Sequence, residues 1–278
     1  MTNRPIETDF QPVPPAFHHA SRVMTPAMMT FDLLPWLIVA AAVVALLLYG
    51  PIGQLADYHN FADRRNWLGI PNAADVLSNI PFLLIGLYGL HTLWGHRATR
   101  EHDPSRSGYT LFFAAIALTA FGSSWYHLAP DNARLVWDRL PIALACAGLL
   151  SAVWSESLHS RGWFTVALAC FAVISVAWWR YTDLHGVDDL RPYLLLQCLP
   201  LVLIPLLQWQ QGKPHAERWA FAAAIGLFAL AKLFELADHT TFDELDFVSG
   251  HTLKHLLAAA ASAVIAWDLA RRLKAAAP

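Results

Sequence analysis

The sequence predicts an all-α, polytopic transmembrane helical bundle, and three observations predict it. Of the 278 residues, 56% are apolar and only 14% are Asp, Glu, Lys or Arg, where soluble domains carry about 25% charged residues. The charges cluster between long stretches that contain none. Eight of those stretches match the roughly 20 mostly apolar residues that a helix needs to cross a hydrocarbon core about 30 Å thick. A water-soluble globule of this composition would expose most of its apolar surface. Cys146, Cys170 and Cys198 all lie inside apolar runs, which excludes a secreted disulfide scaffold. A net charge of −2 gives no reason to expect a nucleic-acid partner.

In chain order, residues 1–32 hold Pro5, Pro12, Pro14, Pro15 and Pro26 among polar residues and read as a flexible tail. The apolar run 33–49 has no short basic segment before it and no small-residue cleavage pattern after it, so it reads as a retained span. Seven further spans are expected at 73–94, 109–127, 135–154, 163–179, 192–209, 219–236 and 250–270. They form a core domain over 51–272, leaving 33–50 as an additional N-terminal span and 273–278 as a C-terminal tail. Trp36, Trp94, Tyr109, Trp178, Trp209 and Trp267 sit near span ends, where amphipathic rings anchor at the interface. Pro200 and Pro205 interrupt the sixth span, but bundle neighbours can satisfy backbone groups freed by proline. Lys232 and Glu235 in the seventh are three apart and are expected to pair.

With eight spans, both tails share a side with the loops 2-3, 4-5 and 6-7, and that side carries eleven basic residues, among them Arg97, Arg100, Arg161, Lys213 and Arg271. The opposite side carries five: Arg64, Arg65, Arg134, Arg180 and Arg191. The positive-inside rule then puts both termini in the cytoplasm. The lack of cysteine outside the spans and the Ala- and Arg-rich composition point to a bacterial inner membrane.

Polar and ionisable groups within a membrane are expensive, so their positions carry information. The third span ends Gly122-Ser123-Ser124-Trp125-Tyr126-His127, the fourth begins Trp137-Asp138-Arg139-Leu140-Pro141, and the eighth begins Ser249-Gly250-His251-Thr252-Leu253-Lys254-His255. All three lie at the extracytoplasmic ends of their helices. His251 and His255 are four apart and stack on one helix face. Two imidazoles so placed can share one metal ion, as in the helical H-E-x-x-H motif, although the Glu is absent here. A catalytic zinc takes three protein ligands and keeps a fourth position open. His127, at matching depth, is the natural third. Ser123 faces the same way, four residues earlier, and Asp138 supplies a carboxylate one turn into the next helix. A His pair at this spacing is more often a hydrogen-bonded structural pair, but the convergence of all five residues favours a metal. The chain lacks G-x-S-x-G, a phosphate-binding glycine loop and any C-x-x-C pair.

Ser123-x3-His127, Asp138 in the string W-D-R-L-P and His251-x3-His255 together resemble the alkaline ceramidase family. It belongs to a superfamily of seven-span membrane hydrolases that also includes the progestin/adiponectin receptors and proteins that remodel GPI lipids. The resemblance covers about residues 55–270. It implies a ceramidase-like seven-helix catalytic domain in which His127, His251 and His255 bind zinc, with Asp138 and Ser123 beside the water that the metal holds. It also implies a calcium site before the first core helix. Asp57, Asn60, Asp63 and Asn72 would supply its oxygen ligands, although this segment has fewer acids than the eukaryotic pattern and has Asn72 where a Glu is expected. The plain alternative is a solvated loop whose Asp and Asn cap the second span.

Three functions follow as expectations. The first is a zinc-dependent membrane amidase that hydrolyses the N-acyl bond of a ceramide-like lipid to a fatty acid and a sphingoid base. The second is a zinc-stabilised receptor or sensor of the adiponectin-receptor type. The third is a transporter or ion channel, disfavoured because the polar groups gather at one end of the bundle and no repeat is present.

Overall fold

A computed structural model describes residues 26–95, 103–158 and 162–276, with side chains described from residue 33 onward. It is an all-α polytopic bundle. Among the described residues, seven helical segments are long and apolar enough to cross a membrane, and a shorter apolar stretch, Leu33–Tyr49, precedes them.

That stretch belongs to α1 (Pro26–Tyr49), which starts inside the region expected to be a tail. The expected tail over residues 1–25 lies outside the described residues. α1 lies against the outside of the bundle. Its Trp36 meets Trp154 edge-on with ring centroids 4.8 Å apart, and the Leu46 carbonyl accepts from Arg191 at 3.2 Å.

The first core span is broken into α2 (Ala73–Leu77) and α3 (Ile80–Gly95). In a continuous helix the Asp75 carbonyl would accept from the backbone of Asn79. Here Ser78 Oγ donates to it at 3.0 Å and Asn79 Nδ2 at 2.8 Å, while Asn79 N turns to Val76 O. Side chains competing for a backbone acceptor thus break the helix beside the polar site.

The remaining spans are α4 (Arg106–Leu128), α5 (Asn132–Leu158), α6 (Trp163–Leu184), α7 (Arg191–Gln210), α8 (His215–Leu236) and α10 (Gly250–Ala275), with the short α9 (Asp238–Leu245) bridging the last two. α10 continues through Ala275, so the expected C-terminal tail is helical for its first residues. Small residues bring α4 and α5 together. A Cβ at Gly108 would stand 2.6 Å from Ser151 Oγ, and one at Gly148 would stand 2.5 Å from Phe112 N. Close backbone approach is how membrane helices gain packing energy where lipid is as apolar as leucine.

Pro200 and Pro205 are accommodated inside α7, as the sequence allows. Lys232 and Glu235 form the expected ion pair. At the end of the bundle away from the histidines, Glu156 is buried between Lys213 (3.1 Å) and Arg272 (2.9 Å). Arg272 also donates to Tyr109 Oη at 2.7 Å, locking α4, α5 and α10 together.

Candidate metal centre

His127 comes from the last turn of α4, and His251 and His255 from the first two turns of α10. All three are buried, and each offers a ring nitrogen such that the three atoms lie within 4.8 Å of one another. His127 Nε2 and His251 Nε2 are 3.2 Å apart. Two nitrogens each about 2.0–2.1 Å from one ion at a tetrahedral angle lie about 3.3 Å apart, so the spacing suits a shared cation. Among the described residues, this is the only group of three or more His, Cys, Asp or Glu side chains close enough to hold one.

Hydrogen bonding sets which nitrogens carry lone pairs. Ser78 has one hydroxyl hydrogen and gives it to Asp75 O, so at 2.8 Å it accepts from His255 Nδ1. His255 Nε2 is left as a lone pair facing its neighbours. Lys254 Nζ, which has no lone pair to give, lies 3.3 Å from His251 Nε2, so that nitrogen also acts as an acceptor. His127 Nδ1 is buried without a partner, so the second support seen at His255 is not repeated there. The donor set therefore fits a metal ion.

The loop before α2 closes over the rings. Phe61 meets His127 and His251 with centroids 4.7 and 4.4 Å away. One carboxylate fixes both sides of this contact: Asp238 accepts from Ala62 N at 2.9 Å and from His251 N at 2.7 Å. Asp75, fully buried, accepts from Thr252 Oγ1 at 2.7 Å and steadies the first turn of α10.

Three of the four residues expected around calcium have protein partners. Asn60 Oδ1 accepts from Arg64. Asp63 is clasped by Arg65 through Nε (2.9 Å) and Nη2 (2.6 Å). Burial pushes the Asp63 carboxyl up, but the Arg65 hydrogen bonds and charge outweigh it and hold the group below the usual range. Asn72, left-handed at φ 48°, does not cap α2; its Nδ2 donates to the His127 carbonyl at 2.7 Å, filling one of the acceptors left open at the end of α4. Asp57 is exposed.

A cavity of about 270 Å³ opens beside the histidines. Ser123, Asp138, Arg139, Lys254 and His255 line its polar end, and Phe112, Leu149, Ile204, Phe221 and Ile265 continue it between apolar helix faces. From His255 to Ile265 the wall runs about 15 Å along α10. Ser123 Oγ lies against the Asp138 carboxylate, the group its hydroxyl is placed to donate to, and has no other partner.

Lys254 sits between His251 and Glu235, an acid on the neighbouring α8, which it meets at 2.7 Å. The signal was present in its spacing, three residues from His251, since i and i+3 share a helix face. Ser78 and Asp75 were likewise readable as polar residues at the outer end of an apolar run. Asp238 and Phe61 had no such mark, because loop and short-helix positions carry no periodicity that aims them. Compared with family models, curated proteins and solved structures, the chain matches none.

Proposed function

We propose that the metal is zinc and that the protein is a membrane amidase acting on the N-acyl bond of ceramide-like lipids. The observation that carries this reading is the junction of a three-histidine cluster with an apolar cavity, Asp138 and Ser123 standing on the cavity wall beside it. Imidazole nitrogens suit zinc, and three protein ligands leave a position open for chemistry. When bound, zinc lowers the pKa of water towards 7 and polarises a carbonyl.

The chain's own groups supply the rest. The acyl chain lies between the helix faces around Phe112, Ile204 and Ile265, which excludes bulk water and sets the amide at the polar end. Asp138 takes the proton of the attacking water and returns one to the departing amine, giving the fatty acid and the free base. Ser123, beside Asp138 on the cavity wall, donates to the developing oxyanion, a contribution of about 3 kcal/mol for a well-placed donor. Ser78, through Nδ1, holds His255 in the tautomer that leaves Nε2 free. The excess of basic residues on the side that holds the termini supports a cytoplasmic placement of both termini, with the site facing the other side of the membrane; a bacterial inner membrane suits the composition.

One observation favours a second reading, a zinc-stabilised receptor or sensor. The three histidines bridge α4 and α10, so an ion there would also act as a cross-link between helices. Turnover separates the two. Zinc-loaded protein incubated with a long-chain N-acyl sphingosine is expected to release many equivalents of fatty acid, and to stop when the metal is chelated. Release limited to one equivalent rejects the amidase, and full activity without zinc rejects its dependence on the metal.

A further inference from the structure

Arg139 is 3% exposed, lines the cavity next to Asp138, and has no carboxylate partner in ion-pair reach among the described residues. The other deeply placed cations differ. Lys254 is paired with Glu235, and Arg272 with Glu156 and Asp268. A buried charge without a counter-ion is costly, so one that is held in place calls for a reason.

It is held firmly. Its guanidinium carbon lies 4.0 Å from the Trp179 ring centroid, with Tyr58 and Tyr193 at 5.1 and 5.4 Å. Nη2 donates to Gln54 Oε1 at 2.7 Å. That amide is itself oriented, because Gln54 Nε2 donates to Asn132 Oδ1 (3.1 Å) and Asn132 Nδ2 donates to Asp183 Oδ1 (2.9 Å). Trp179 is fixed by its Nε1 bond to Asp188 at 2.6 Å. The aromatic rings stabilise the face of the cation. They cannot satisfy its in-plane hydrogens, and Nε and Nη1 are buried without any acceptor. Of the charged groups on the cavity wall, Arg139, Lys232 and Lys254 face Asp138 and Glu235, and both lysines share Glu235.

We propose that Arg139 recognises an anionic head group, a phosphate or carboxylate, on the lipid whose chain occupies this cavity. The free N–H donors take its oxygens, and the ligand completes the counter-ion balance that the chain leaves open. The inference rests on the lipid reading of the cavity and narrows its substrate class to N-acyl lipids with an anionic polar end, favoured over neutral ones.

The test is binding, with turnover read beside it. Full-length, zinc-loaded protein in a non-ionic detergent is titrated with dodecyl phosphate, with dodecanol of the same chain length, and with inorganic phosphate. Dodecyl phosphate is expected to bind about tenfold or more tighter than dodecanol, the worth of a charge-assisted hydrogen bond. Arg139→Gln, with its zinc content unchanged, is expected to lose that preference, and Arg139→Lys to keep part of it. An equal preference in Arg139→Gln would assign it to the metal and overturn the proposal. So would the absence of any preference in the unaltered protein, a result that needs no variant to fold. Inorganic phosphate binding as tightly as dodecyl phosphate would make a free anion the ligand and overturn the head-group assignment. Binding that depends on Arg139 without fatty-acid release from any N-acyl lipid would sink the amidase and leave this inference standing; turnover without head-group preference would do the reverse.

Discussion

His127 and His251 face each other Nε2 to Nε2 across 3.2 Å, although 124 residues separate them in the chain. Lys254 Nζ lies 3.3 Å from the same His251 nitrogen. The pair is therefore where the metal reading is most exposed to experiment. Removing either ring, as His127→Ala or His251→Ala, is expected to cut bound zinc from about one per chain to a small fraction while the helix content by circular dichroism stays. Elemental analysis of the purified variants checks this, and undiminished zinc in both would remove the metal centre.

Ser78 is the residue that orients His255, through a 2.8 Å bond to Nδ1. Groups in this position tune a ligand without touching the metal, and their loss costs about 10–100-fold in affinity. Ser78→Ala is therefore expected to weaken zinc binding by that factor in competition with a chelator. An unchanged affinity would mean that His255 is oriented by its packing alone.

Asp138 touches the cavity but not the histidine cluster's own nitrogens. Asp138→Asn is accordingly expected to keep its zinc and lose about 10²–10⁴ of its turnover, the range for a missing general acid–base. Loss of zinc and activity together would give Asp138 a structural role instead.

The loop joining α6 to α7 carries a pH dependence with a definite sign. Burial pushes the Asp189 carboxyl up. Hydrogen bonds from the Arg191 side chain, Trp178 Nε1 and the Arg191 and Ile52 backbones outweigh it, lowering the group from its ordinary 3.8 to about 2. The folded value is the depressed one, so this stabilisation is complete above about pH 4 and is lost as pH falls towards 2. Melting temperatures between pH 6 and pH 2 should show that acid limb. Asp189→Asn should melt lower at pH 6 and flatten the limb, and an identical profile would assign the acid sensitivity to other carboxylates.

The α4–α5 crossing offers a stability test that leaves the polar site untouched. A side chain at Gly148 has Phe112 N within 2.5 Å of its first carbon, and only backbone movement relieves that. Gly148→Val is expected to lower the melting temperature by several degrees, in line with the 1–3 kcal/mol typical of overpacking.

By itself, the sequence determined the class of the protein and the depth of its chemistry. Long uncharged stretches can be stable only as spans, and Ser123, His127, Asp138, His251 and His255 fall at span ends fixed by counting residues. Helical period likewise made the Lys232–Glu235 pair legible. Only the tertiary structure decided what fills the space between those ends. The break at Ser78–Asn79 depends on side chains competing for the Asp75 carbonyl. Asp238 and Phe61 reach the histidines from segments without periodicity, and Asn60, Asp63 and Asn72 each found a different partner from the one their composition suggested. The isolation of Arg139 was invisible for the same reason. Periodicity fixes how side chains are arranged along one helix, whereas a missing counter-ion is a property of every element packed around the charge.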